Sequence, residues 1–373
     1  MNDTKIGLKE AVSLILTIAI AHVILSTPRR LLASMKSAVL LNLVYISIIL
    51  IFIVILIVNL FKKFPGFDIL DISEYLGGKV FKKILGILFI AYFLISSSVL
   101  LREFSEALKV IYFPNTNVFF VMLLFIIAVA IINKLEFTAA IKANLLIVPL
   151  VLISCIFLFF SNTRLFIATR FFPLLGDGLF NTFVLGITNI SSFAGICFIY
   201  LLPPILKEPK ELKKIAISSV IVFFIFLLLN IAVLLFMFSH LMVENEILPL
   251  YTAFQYIQLG DFFVRFDVIF LLVWIEVLVF YLCIVQRFSM LIMQKITSTK
   301  NQKILCYPFC LLLLSVAMLP DTLGQLKIYE INIYPYVSIG FCYIFCILLL
   351  LFANLKKAKD KKVIDYWLKL INL

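Results

Sequence analysis

Residues 37–61 read SAVLLNLVYISIILIFIVILIVNLF, with no Asp, Glu, Lys or Arg among them. Lys36 closes the run on one side and Lys62-Lys63 on the other. A helix rises about 1.5 Å per residue, so roughly 20 apolar residues cross the hydrocarbon core of a bilayer. The run is long enough to span, and too apolar on every side for a helix on a soluble core. Similar runs recur along the whole chain. Its 373 residues are 64% hydrophobic and 14% charged, with mean hydropathy +1.18. Soluble domains are near 45–50% apolar and about 25% charged. The sequence therefore predicts an all-α integral membrane protein, with residues 1–373 forming one membrane domain.

Charge and proline punctuation divide the chain into ten predicted transmembrane helices. They cover residues 8–27, 37–61, 84–112, 118–133, 140–160, 182–204, 215–240, 262–292, 304–320 and 333–355. The first apolar run, Ala11 to Thr27, lacks a small-residue cleavage site and counts as a span rather than a leader. Positive residues fall on alternate sides of this arrangement. Lys62, Lys63, Lys79, Lys82, Lys83, Lys207, Lys210, Lys213, Lys214, Arg287, Lys295, Lys300, Lys303 and the tail from Lys356 to Lys369 share one side. Arg29, Arg30, Arg164 and Arg170 lie on the other. The positive-inside rule makes the lysine-rich side, and both termini, cytoplasmic. The net charge of +12 then meets anionic lipid, and no nucleic acid partner is expected.

Two stretches are predicted not to span. Asn162 to Asn181 mixes Arg164, Arg170, Pro173 and Asp177 with phenylalanines, as an external interfacial segment would. The tail, 356–373, opens with lysines and ends in Val363, Ile364, Tyr366, Trp367, Leu368 and Leu370, an amphipathic cytoplasmic helix for an anionic leaflet. Of the seven cysteines, five lie within apolar stretches, and Cys306 and Cys310 are one turn apart; they read as packing residues. With only His22 and His240, metal and hydrolytic sites lack ligands. No cofactor and no enzymatic activity are expected.

Ten spans divide into five and five, about 8–160 and about 182–355, and an odd number per half makes the halves antiparallel. Transporters built from such inverted repeats meet at discontinuous helices near the midplane. Helix 1 contains Ala19-Ile20-Ala21-His22 and ends in Ser26-Thr27-Pro28. Its counterpart, helix 6, contains Ser191-Ser192-Phe193-Ala194-Gly195 and ends in Pro203-Pro204. These matched interruptions predict a LeuT-like 5+5 inverted repeat.

Polar groups inside spans mark candidate sites. Glu276 lies midway along helix 8 and reads either as a partner for a proton or ligand amine, or as a neutral carboxyl that fixes packing. His22 offers the same choice between ligand contact and packing. Tyr92 and Ser96, four residues apart on helix 3, share a face that could hold a ligand carboxylate or permit close packing. Arg102, Glu103, Glu106 and Lys109 read as an ion-pair cluster at the external end, and Asn230 as a hydrogen bond to another helix. The candidate ligand site is Ala19, Ala21, His22, Tyr92, Ser96, Ser191, Ser192, Gly195 and Glu276, where small residues leave room for a ligand.

The loops carry a resemblance. Phe64-Pro65-Gly66-Phe67-Asp68 followed by Ile72-Ser73-Glu74-Tyr75-Leu76-Gly77-Gly78-Lys79 resembles the segment after helix 2 of spore germination permeases, the B subunits of GerA-type nutrient germinant receptors. Leu101-Arg102-Glu103-Phe104, Phe113-Pro114-Asn115-Thr116, Phe172-Pro173-Leu174-Leu175-Gly176-Asp177-Gly178, Pro203-Pro204-Ile205-Leu206-Lys207 and Arg265-Phe266-Asp267 ahead of Trp274 continue it in register. The resemblance implies a fold of the amino acid/polyamine/organocation superfamily and residence in the inner spore membrane. It further implies recognition of a small nutrient, often an amino acid, in a complex with receptor A and C subunits. Two positions depart from the pattern: Asn117 replaces a second proline, and no acid stands near Gly195-Ile196-Cys197. The expected function is nutrient sensing by a transporter-like subunit. The alternative is a proton-coupled amino acid permease with Glu276 as the protonating group.

Overall fold

The computed structural model describes residues 5–135, 137–257, 266–299 and 302–371. Helix makes up 86% of it, and no strand forms among the described residues. Helix is what hydrocarbon requires, because each N–H and C=O must find its partner within the segment. Among the described residues, seven helical stretches are long and apolar enough to cross a membrane: Thr27–Phe61, Ile69–Tyr112, Ala139–Ser161, Phe180–Leu201, Pro209–Met237, Phe266–Thr297 and Leu323–Lys359. The chain is a multi-pass membrane protein. The other three predicted spans are helical but short: α1 (Leu8–Ala21) has 14 residues, Val118–Lys134 has 17 and Cys306–Ala317 has 12.

The first helix departs from its predicted course. It stops at Ala21, turns through His22 to Leu25, and resumes as α2 (Ser26–Met35). Pro28 is the third residue of α2, in the first turn, where its missing N–H is no loss. Residues 28–35, predicted as loop, are therefore a second half-helix. Lys36, at φ 49°, then swings the chain toward α3 (Val39–Phe61).

After α3 come α4 (Ile69–Tyr112), α5 (Val118–Lys134) and α6 (Phe137–Ser161), then short turns that leave Leu165, Ile167, Phe172 and Leu174 exposed. The sixth predicted span is Phe180–Leu201, a π-helical turn followed by a 17-residue 3₁₀ helix, Leu185–Leu201. Next are α7 (Leu212–Met237), the short α8 (His240–Asn245) and α9 (Pro249–Gln255), α10 (Phe266–Thr297) and α11 (Cys306–Ala317). Then follow α12 (Leu323–Ile328), α13 (Tyr334–Ser338) and α14 (Cys346–Ile371), with π-helical turns between them; the last predicted span, 333–355, takes in α13 and the start of α14, and helix already begins ten residues ahead of it. The tail backbone simply continues α14. Its side chains from 360 onward, the loop carrying Arg265, and Lys300 lie outside the described residues.

Polar side chains tie the helices together where lipid gives no hydrophobic drive for association. Thr17 donates to Asn144 Oδ1 at 2.8 Å, and Asn144 donates to Ser13 at 3.0 Å, linking α1 to α6. Asn133 donates to Gln286 at 2.8 Å between α5 and α10. Asn230 reaches Cys155 Sγ of α6 at 3.0 Å, the interhelical bond expected of it.

At the lysine-rich end, Ile6 exchanges backbone hydrogen bonds with Ile205 and Lys207, both at 2.9 Å. The start of α1 thus lies beside the end of the 3₁₀ helix, so these two helices run antiparallel. At the same end Asp68 caps α4, accepting from the Asp71 amide at 2.9 Å, and Lys295 of α10 clamps both carboxylates at 2.6 Å. Burial pushes the Asp68 carboxyl up to about 6, against the pull of the Lys295 ammonium.

Candidate ligand site at the break in the first helix

The turn from His22 to Leu25 interrupts the helical ladder inside the bundle, which leaves backbone groups to be satisfied by neighbours. Val23 donates to Ile20 O at 2.8 Å and Thr27 to His22 O at 3.4 Å. Around this turn the structure gathers most of the residues singled out by sequence. The His22 ring stacks on Tyr334 at 5.8 Å and meets Tyr281 edge-on at 5.2 Å. Ser96 lies 3.4 Å from the Tyr281 hydroxyl, and His22 and Ser96 line one small cavity with Val99, Leu100, Tyr329, Glu330 and Tyr334. Tyr92, one turn away on the same face, pairs with Ser338 of α13 at 3.1 Å. Ala21 is buried at the end of α1.

The 3₁₀ helix faces this break with Ser191 and Ser192, and it loses helical geometry at Phe193 (φ −98°, ψ 17°), beside them. A 3₁₀ run this long is unusual, since most stop after 3–4 residues. The predicted interruption is present, but as an overwound helix with one irregular residue rather than an open gap. Gly195 does not leave space. A Cβ there would sit 3.1 Å from the Ala19 nitrogen, so the glycine permits close helix contact. Glu276 is not at the site. Its side chain is on the exposed face of α10, in line with Leu272 at 58% exposure.

Charged groups outside the predicted site dominate the arrangement. Arg29 of α2 forms a buried ion pair with Glu103 of α4 and a second, at 3.3 Å, with Glu330. Arg30, 8% exposed, donates to the hydroxyls of Ser191 and, at 2.7 Å, Ser192. A buried guanidinium normally finds a carboxylate. Here its hydrogen-bond partners are neutral. Glu103, 2% exposed, has one oxygen on Arg29 while Oε2 has no hydrogen-bond partner among the described residues. Arg102 pairs with Glu106 at 3.0 Å, as the spacing predicts, but Glu103 leaves that cluster to face α2.

The sequence reading passed over Arg29, Arg30, Glu103 and Glu330 as site residues. A usable signal was Ser26-Thr27-Pro28, since hydroxyl residues followed by proline begin helices as readily as they end them. Read as a start, that triplet puts both arginines inside the bundle. Glu330 carries no comparable signal, because a π-helical turn over Tyr329–Ile333 brings it inward.

The cavity at His22 is about 10 Å³, room for one water. Beyond it, sharing Glu330, lies a cleft of about 290 Å³ whose walls include Arg29, Arg30, Ser34, Asn189 and Lys327. The site is therefore closed at its centre and open on the side of α2.

Buried charge at a broken helix suits a membrane protein that handles a small polar solute. The family profile described as spore germination protein matches residues 5–325, most of the chain and most of the elements that build this site. The chain belongs to the spore germination protein family. No curated protein gives a significant match. Within the family frame, the matched residues include both half-helices, the 3₁₀ helix and α10, and stop just short of Glu330 and Tyr334.

Proposed function

We propose that the chain is the nutrient-sensing, transporter-like subunit of a spore germination receptor, and that its ligand is an amino acid. One observation carries the reading: Arg30 is buried at the helix break with two neutral hydroxyls as its hydrogen-bond partners. That is a guanidinium poised for a carboxylate, which it could hold through two parallel hydrogen bonds. The free oxygen of Glu103 supplies an acceptor for an ammonium group nearby. A zwitterion offers both charges.

The reading includes ten spans in a LeuT-like 5+5 repeat of the amino acid/polyamine/organocation superfamily, with both termini cytoplasmic in the inner spore membrane. The antiparallel contact of α1, which breaks off at His22, with the 3₁₀ helix, irregular at Phe193, supports that arrangement. Binding must involve movement of α2 or the α12–α13 segment, because the inner cavity holds only one water as it stands. That movement would carry the signal to the receptor A and C subunits. A proton-coupled permease that uses Glu276 gains no support from the position of Glu276 outside the site.

Titration of the purified chain in nanodiscs with amino acids and with their carboxamides tests the proposal. Hydrogen bonds to a charged group contribute about 1.5–3 kcal/mol, so Arg30→Gln should weaken amino acid binding by about tenfold or more. Carboxamides should bind as poorly to the native chain. Equal binding of acid and amide, or full binding by Arg30→Gln, would refute it.

A further inference from the structure

At the lysine-rich end, α4 bends at Gly78 (φ 74°), and Lys79 and Lys83 follow one turn apart on the same side. Both are exposed, and neither has an ion-pair partner among the described residues. Opposite them α10 presents Met293, Lys295 and Ile296, and the two helices enclose a groove of about 690 Å³. The groove closes where the helices touch: a Cβ on Gly86 would come within 2.7 Å of Ile296 Cγ2.

Its chemistry is graded along its length. Lys79, Lys83 and Ile87 occupy successive turns of one wall, so the mouth is cationic and the deeper part apolar. On the adjoining surface Val80, Ile84, Ile87 and Leu88 are exposed, as hydrocarbon-facing side chains of a span are. The acids nearby are already occupied. Glu74 pairs with Lys82 at 2.7 Å, and Asp68 and Asp71 with Lys295 at 2.6 Å. Three carboxylates thus stand against four lysines, Lys82 and Lys295 hold all three, and the net positive charge is presented by Lys79 and Lys83.

We infer that this groove is a binding site for an anionic phospholipid, with the headgroup phosphate between Lys79 and Lys83 and an acyl chain along Ile84 and Ile87. A free phosphate would satisfy the lysines but leave the apolar wall unused. The site does not depend on the nutrient reading. Only its assignment to the cytoplasmic leaflet rests on the topology proposed above.

Native mass spectrometry of the detergent-purified chain, loaded with phosphatidylglycerol or with phosphatidylcholine of the same acyl chains, tests it. Each lysine beside an anionic headgroup is worth about fivefold in affinity. Lys79→Gln with Lys83→Gln should lower phosphatidylglycerol retention about 25-fold. Arginine at both positions should restore it, and Lys213→Gln with Lys214→Gln, on exposed lysines of α7, should leave it unchanged. The inference is overturned if phosphatidylcholine is retained equally, if the double glutamine variant keeps its lipid, or if excess inorganic phosphate displaces the lipid and so assigns the lysines to free anions.

Discussion

Gly195 of the 3₁₀ helix lies against Ala19 of α1 so closely that an added Cβ would stand 3.1 Å from the Ala19 nitrogen and 3.2 Å from its Cα. Both neighbours are backbone, which cannot rotate aside. Two helices from opposite halves of the chain are thus in van der Waals contact just before the first one breaks, and a shift of either is felt by the other.

Substitution of Gly195 should therefore act by prying these helices apart. Gly195→Ala forces a displacement of a few tenths of an ångström, and Gly195→Leu a larger one. Overpacking of this kind typically costs about 1–3 kcal/mol. Thermal unfolding in detergent should rank native, Ala and Leu in that order, and nutrient response should fall in parallel. An unchanged melting temperature for the leucine variant would show that the contact is not tight.

Arg29 holds two carboxylates from different helices, Glu103 and Glu330, away from bulk water. Removing the cation strands both. Breaking a buried pair on one side costs about 3–5 kcal/mol, whereas replacing both partners with apolar residues is often close to neutral. Arg29→Met should be severely destabilising, and Glu103→Met should recover part of the loss in the double variant. Strict additivity of the two single effects would mean that the pair is not coupled.

Asp68 predicts a pH dependence at the opposite end. Its carboxyl is pushed from 3.8 up to about 6 by burial, so the folded chain holds this proton more tightly than the unfolded chain does. The stabilising contribution is complete below about pH 4 and is lost as pH rises through about 6. Asparagine caps a helix as well as aspartate and stays neutral. Asp68→Asn should flatten this part of the profile, measured as melting temperature across that window. A variant with the same slope as the native chain would assign the dependence elsewhere.

Glu276 should be dispensable for ligand binding, since its side chain is on the exposed face of α10. A charged group at the bilayer centre costs about 2.5–3.5 kcal/mol on insertion scales. Glu276→Leu should bind nutrient normally and be at least as stable as the native chain in nanodiscs. Loss of nutrient affinity in this variant would return Glu276 to the site.

Much of this was legible from residue order. The helical membrane class follows from unbroken runs such as 37–61, because apolar composition and segment length are read directly. The close approach of α1 to the 3₁₀ helix falls on Ala19 and Gly195, small residues that the sequence marks. What the runs could not reveal was continuation across a break. Pro28 looked like an end, and only tertiary burial of Arg29 and Arg30 against Glu103, Ser191 and Ser192 shows it to be a beginning. Glu276 was misleading for the converse reason. Hydropathy reports depth along a helix, but not which way a side chain points around it.

The 17 residues from Leu185 to Leu201 wound as a 3₁₀ helix have a mechanical consequence. That winding advances about 2.0 Å per residue, against about 1.5 Å in an α-helix. Each residue that changes to α hydrogen bonding shortens the rod by about 0.5 Å and turns everything beyond it by about 20°. Four such residues, near Ser191 and Ser192, would retract the far end by about 2 Å. That end leads into Leu206, whose neighbours Ile205 and Lys207 are stitched to Ile6. A change of winding beside Arg30 would therefore be felt at Ile6, at the lysine-rich start of α1.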